Sequence, residues 1–344
     1  QKALDEATKL LIYFPNSIFL HQISGGSNLS LKNFDAAILN YKKILKIGPK
    51  EADSYYNIGV AFHDKGDFKA AEASYKKAVE VSPKHFEAQF NLGKVLRDNG
   101  KLNASVFHYT KALKIKPNVA EVYFNLGAVL MDRGNTTAAI KSYQEAIEIR
   151  SNYAEAFFGM GLVFAKEHNT DAAIESYQKA VDIKPNYTDA LYNIGIIKSE
   201  MGNLEAAIIS FDQVLKINPD YIDAYLNKGS ALVLLNDFQA AMICYKTALV
   251  MQPENSSIMS SMGTAQKYLG DLAGALISFD KAIHFDFENK EALLNRSMTY
   301  LHLGNFKSGW PEYEWRQKVK KFPFEPLATS KPEWTPSVVS GRVL

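Results

Sequence analysis

The sequence predicts an all-α protein, a solenoid of antiparallel helix pairs, and three observations carry that expectation. Glycine recurs at Gly25, Gly59, Gly93, Gly127, Gly161, Gly195, Gly229 and Gly263, 34 residues apart each time, with Ser297 in the ninth place. Twelve residues later comes a second small residue: Ala37, Ala71, Ser105, Ala139, Ala173, Ala207, Ala241, Ala275 and Gly309. Four further on stands an aromatic: Tyr41, Tyr75, Tyr109, Tyr143, Tyr177, Phe211, Tyr245, Phe279 and Tyr313. With only 20 glycines in the chain, this register is not chance, and a fixed period of this size marks units that complete their core only by stacking on neighbours.

Each unit can be justified in chain order. Proline closes the preceding unit at Pro15, Pro49, Pro83, Pro117, Pro185, Pro219 and Pro253, with Ser151 and Phe287 as replacements, because proline cannot continue a helix. Just beyond it, Asn118/Glu121, Asn152/Glu155, Asn186/Asp189 and Asp220/Asp223 have the spacing of an N-cap and its acidic partner, so helix A is expected to start there. Helix A carries the periodic glycine and should break near Gly66, Gly100, Gly134, Gly202, Asn236, Gly270 or Gly304. Helix B then carries the small residue and the aromatic. Glycine on A and alanine on B remove the side chains that would hold the two helices apart, and the aromatic is expected to fill space against the neighbouring hairpin.

Along the chain this divides 1–17, the second helix of a partial repeat, from 18–323, nine repeats, and from 324–344, a proline-rich linker leading to the first strand of a further domain. In the ninth unit Trp315 and Arg316 stand where an earlier unit has Ala282 and its neighbour, so no further hairpin can approach at the same distance. Pro323, Pro326, Pro332 and Pro336 then argue against a helix, and the closing SGRVL reads as the entry to a strand.

Composition narrows the function. An apolar content of 47% with 22% charged residues is globular, and no apolar run approaches the roughly 18 residues of a membrane span. A net charge of +2 over 344 residues gives no long-range field for nucleic acid. The single cysteine, Cys244, excludes an internal disulfide framework and is expected to be a small buried hydrophobe. No phosphate-cradling glycine loop appears, and none of the seven histidines has metal-ligand spacing. No catalytic residue, metal ligand or cofactor is therefore assigned, and the expected partners are client proteins or peptides, without nucleic acid or membrane, in the cytoplasm.

One polar residue recurs inside the otherwise apolar helix A. Asparagine stands two residues before the glycine place at Asn57, Asn91, Asn125, Asn193, Asn227 and Asn295, with Ile23, Gly159 and Ser261 interrupting the row. A carboxamide donates and accepts, so such a row on an open groove can hold the main chain of an extended peptide without reading its side chains. One rung should serve about every third peptide residue, from a helix width of roughly 10 Å and a rise of roughly 3.3 Å per extended residue. The alternative is that the amides bond backbone carbonyls across the helix seams and set the stacking. The acidic row Asp53, Glu87, Glu121, Glu155, Asp189, Asp223 and Glu291 is expected to serve helix dipoles. The aromatics Tyr56, Phe90, Phe124, Phe158 and Tyr192 are expected in inter-repeat packing rather than as a stacking surface for bases.

The pattern Asn-x-Gly, Gly, Ala, Tyr/Phe, Ala, Pro resembles the tetratricopeptide repeat. That resemblance implies a right-handed superhelical solenoid with helix A on the concave wall and helix B on the convex one. An asparagine row in such a superhelix resembles the substrate-recognition arm of protein O-linked N-acetylglucosamine transferases, which implies binding of extended acceptor segments by their backbone. The run GNFKSGWPEYEWR with the proline-rich stretch and GRVL, residues 304 to 344, resembles the junction to a glycosyltransferase domain in bacterial repeat fusions. A nucleotide-sugar enzyme would then follow Leu344, its catalytic residues outside this chain. A free-standing scaffold or chaperone-type adaptor is the rival; a clamp for acidic chain ends would need Lys and Arg grouped on neighbouring A helices, and the asparagine place offers none.

Overall fold

At the periodic glycines a side chain has no room. A methyl group on Gly59 would stand 2.5 Å from Cε1 of Tyr75, one on Gly127 2.8 Å from Cδ1 of Tyr143, and one on Gly229 2.5 Å from Cε1 of Tyr245. Each glycine therefore receives the aromatic ring of its own hairpin, sixteen residues on, and the alanine of helix B is buried beside it. The expectation that the ring serves the neighbouring hairpin holds at its far end only: the Tyr143 ring lies against Gly127 and also against Gly159 of the next hairpin, where a methyl would come within 2.7 Å of Cζ. Tyr75, Tyr109, Tyr143, Tyr177, Phe211, Tyr245 and Phe279 are almost wholly buried in this way.

The computed structural model describes residues 1–319. The proline-rich segment 324–344 and the GRVL motif lie outside the described residues. Among them there are nineteen α-helices in consecutive antiparallel pairs and no strand. The chain divides by its contacts into two units, Gln1–Ala190 and Leu191–Leu344.

The first unit contains α1 (Lys2–Tyr13), α2 (Ile18–Ser30), α3 (Phe34–Ile47), α4 (Ala52–Asp64), α5 (Phe68–Val81), α6 (Phe86–Asp98), α7 (Leu102–Ile115), α8 (Ala120–Asp132), α9 (Thr136–Ile149), α10 (Ala154–Lys166) and α11 (Thr170–Ile183). The division falls inside α12 (Thr188–Glu200). The second unit continues with α13 (Leu204–Ile217), α14 (Ile222–Leu234), α15 (Phe238–Met251), α16 (Ser256–Tyr268), α17 (Leu272–Phe285), α18 (Lys290–His302) and α19 (Phe306–Tyr313). A short 3₁₀ turn, Glu314–Lys318, follows α19, and Arg316 there lies over the Tyr313 ring at 4.8 Å.

Even-numbered helices from α2 onward are the A helices. In the first unit α6 touches α8 and α8 touches α10; in the second α14 touches α16 and α16 touches α18. The B helices do not approach one another to the same extent among the described residues. Helices that crowd while their partners spread lie on the inner side of a curve, so within each unit the A helices form the inner face.

The A-to-B break is built as expected. Gly66, Gly100, Gly134, Gly202, Gly270 and Gly304 all have positive φ, the left-handed conformation that ends a helix, and Asn236, His168 and Lys32 adopt it at φ 62, 58 and 60. The amide of Asp67 closes the turn on Phe62 O at 2.8 Å, and the Asp67 side chain then caps α5 by accepting from Ala70 N at 3.0 Å. Asn135, Asn169, Asp237, Asp271 and Asn305 cap helices α9, α11, α15, α17 and α19 in the same manner.

The start of helix A requires a correction. The N-cap residues of α8, α10 and α14 are Val119, Tyr153 and Tyr221, one place after Asn118, Asn152 and Asp220, and none makes a side-chain cap bond. The physical reason is the seam. Tyr153, Tyr187 and Tyr221 lay their rings 5.3, 5.0 and 5.0 Å from Phe124, Phe158 and Tyr192 of the preceding A helix, Val119 packs against the core at the same place before α8, and this apolar packing sets where the helix begins. Those three residues also pack on Tyr143, Tyr177 and Phe211, so the aromatics before the asparagine place are inter-repeat packing, as expected. Cys244 is buried, and burial pushes its thiol pKa up.

Candidate functional site

The candidate site is the inner face of the A helices, the helices that carry the asparagine row. Asn57, Asn91 and Asn125 lie in the first unit, Asn193, Asn227 and Asn295 in the second, and all six are half-buried. The gap at Gly159 has a steric cause: α10 lies so close to the Tyr143 ring that no β-carbon fits.

The carboxamides do not have equal freedom. Asn57 makes no hydrogen bond among the described residues. Asn125 Nδ2 donates to Glu121 O at 2.7 Å, one turn back in α8. Asn91 Nδ2 donates to the Tyr56 hydroxyl of the preceding A helix at 3.2 Å. Asn227 Nδ2 uses both of its protons, on Asp223 O at 2.9 Å and on the Tyr192 hydroxyl at 2.8 Å. At Asn295 the engaged atom is the oxygen, which accepts from Lys267 Nζ at 3.1 Å. The expectation that each amide is free to donate and accept along a peptide is therefore not met at Asn227 or Asn295.

Several of the charged neighbours are paired within the protein. Every acidic residue of the row stands in the first turn of its A helix. Lys116 binds Glu87 at 2.9 Å, and that hydrogen bond holds the Glu87 carboxyl below the usual carboxylate range. Arg97 of α6 bridges to Asp132 of α8 at 2.6 Å. Burial lowers the pKa of Lys267, and burial of Tyr192 raises its phenol to about 12, so that hydroxyl stays protonated at neutral pH. No group of metal-ligating side chains is found among the described residues. No described helix is long and apolar enough to cross a membrane.

The sequence reading did not find three partners of the row: Tyr56, Tyr192 and Lys267. A signal existed for the first two, since a tyrosine just before the asparagine place precedes the next repeat's asparagine by 35 residues at Tyr56/Asn91 and Tyr192/Asn227. It also did not find that one outward position of helix B is isoleucine in three successive repeats of the second unit. Ile209, Ile243 and Ile277 are 60%, 67% and 57% exposed, where the two preceding repeats carry Lys141 and Glu175 and the earlier ones Leu39, Ala73 and Phe107.

Comparison with known proteins agrees with this architecture. The profile described as TPR repeat matches residues 29–66, 93–132, 129–167 and 169–202. Those described as tetratricopeptide repeat match 52–85, 188–221 and 222–255. Together they cover more than half of the 344 residues. No curated protein matches the chain significantly. Among solved structures, a tetratricopeptide repeat protein from Parabacteroides merdae ATCC 43184 is similar over 73% of this chain and 99% of its own, at 20% identity and a TM-score of 0.53. The APC/C hetero-tetramer Cut9–Hcn1 is similar over 83% of this chain and 56% of its own, at 15% identity and 0.52. YrrB, titled a TPR protein with an unusual peptide-binding site, is 26% identical over 54% of this chain and 95% of its own, with a TM-score of 0.46. The fold and the matching repeat profiles define a helical-repeat solenoid. The chain belongs to the tetratricopeptide-repeat family.

Proposed function

We propose that this solenoid captures extended segments of client proteins along the inner face of its A helices. Asn57, Asn91 and Asn125 in the first unit and Asn193, Asn227 and Asn295 in the second hold the client's main chain. We further propose that it does so as the substrate-recognition region of a glycosyltransferase, the reading that the asparagine row and the GWPEYEWR junction suggest. What supports the reading is that six asparagines keep one sequence register on the A helices and are half-buried, while their immediate neighbours Leu92, Ile194 and Ile58 are buried in the core. Such a row suits unstructured clients, because main-chain hydrogen bonds are indifferent to side-chain sequence. Each contact contributes little, so capture is broad and individually weak. The Arg97–Asp132 and Lys228–Asp212 pairs work against the adaptor reading that depends on a free basic clamp.

The test is replacement of Asn91, Asn125, Asn193 and Asn227 together by alanine, with capture of labelled unstructured peptides followed by fluorescence anisotropy. Peptide affinity is expected to fall at least about tenfold, from several bonds worth about 1 kcal/mol each, with the melting midpoint nearly unchanged. A collapse of the melting midpoint instead would assign the amides to the seams.

A further inference from the structure

The six amides share a register, and the groups around them give each a different remaining capacity. At Asn227 the orientation is chemically determined. The atom facing Asp223 O must be the nitrogen, because a backbone carbonyl only accepts. Its second proton is taken by the Tyr192 hydroxyl, so the nitrogen has no proton left. Only Oδ1 remains for a ligand, and it has no partner among the described residues. At Asn295 the determination runs the other way. An ammonium only donates, so the atom facing Lys267 Nζ at 3.1 Å is the oxygen, and the two protons of Nδ2 are left for a ligand.

We propose that the inner face of the second unit reads the polarity of the bound main chain, with Asn227 accepting from a client N–H and Asn295 donating to a client C=O. The inference rests on the proposed capture of extended segments and deepens it by naming which client group each amide takes. Asn125 in the first unit shares only half of the arrangement of Asn227: its nitrogen donates to Glu121 O, but Phe90 stands where Asn227 has Tyr192, so Asn125 keeps a proton as well as its oxygen. The ligand class follows from the chemistry: an extended peptide with an unsubstituted amide at the Asn227 rung. A proline or an N-methylated residue there removes the only hydrogen-bonding group that this amide can use.

The experiment uses the whole 344-residue chain and a ligand selected from a displayed library of random peptides of about a dozen residues, long enough for about four rungs. The selected peptide is synthesised with each residue N-methylated in turn, and its affinity is measured for wild type, Asn227→Ala and Asn295→Ala, each checked for an unchanged helical signal. One methylation is expected to weaken wild-type binding about tenfold, to have almost no effect with Asn227→Ala, and to keep its full penalty with Asn295→Ala. If no penalty vanishes with Asn227→Ala, or one vanishes with Asn295→Ala instead, the polarity assignment is wrong while peptide capture by the row can stand. If the library yields no ligand, or one whose affinity neither alanine variant changes, the capture reading fails and takes this inference with it.

Discussion

At the scale of single residues, this protein is organised by absences of side chain. Gly127 has no β-carbon because the Tyr143 ring occupies its place, with Cδ1 and Cε1 both at 2.8 Å from a methyl built there. Gly127→Leu should cost about 3 kcal/mol by overpacking, read as a lower denaturant midpoint with reduced slope as α8 and α9 separate. An unchanged midpoint would mean the ring moves away without loss. His168, held at φ 58 in the turn between α10 and α11, is a converse case. His168→Gly should raise stability by about 1 kcal/mol by relieving the left-handed strain, measured by the same denaturation. The glycine rule was legible in the sequence because a residue that nothing can replace leaves a mark at every period. The polarity of Asn227 was not legible, because it depends on a tyrosine 35 residues earlier and on a carbonyl one turn back, neither of which a single-residue pattern displays.

At the scale of elements, joints between helix pairs carry polar chemistry as well as apolar packing. Glu72 on α5 is buried yet charged: burial alone would raise its pKa, but hydrogen bonds from Lys101, Lys76 and Asn99 outweigh it and hold the carboxyl at about 2. Lys101 and Asn99 lie on the turn between α6 and α7, at 2.7 and 2.8 Å from the carboxylate, so Glu72 ties one hairpin to the next. Its folded pKa is depressed below the ordinary value of 4.5, so its stabilisation is present above that pH and is lost as pH falls toward 2. The first unit should therefore loosen in acid over that interval, and Glu72→Gln should flatten that part of the stability-against-pH curve, followed by thermal melts in steps of pH. The caps teach the limit of sequence reading at this scale. The A-to-B break was readable from Gly66 and its equivalents, since positive φ demands glycine or a close substitute. The A-helix start was read one residue early, because Tyr153 and Tyr221 are drawn into the seam against Phe124 and Tyr192 and that packing outranks the capping preference of Asn152 and Asp220.

At the scale of the molecule, each unit presents two different surfaces, and function should separate between them. The inner face carries the amides; the outer face of the second unit carries Ile209, Ile243 and Ile277, exposed and unconnected to the row. Changing these three isoleucines to serine should leave peptide capture within about twofold of wild type, since surface changes away from a site usually cost little. The most direct measurement of the central claim is a hydrogen–deuterium exchange footprint of the chain with and without a bound unstructured peptide. The account predicts slowed exchange confined to the A helices that bear the row, with α6, α8 and α14 protected around Asn91, Asn125 and Asn227. Protection centred instead on the outer B helices α13, α15 and α17, with α14 and α8 unaffected, would contradict it.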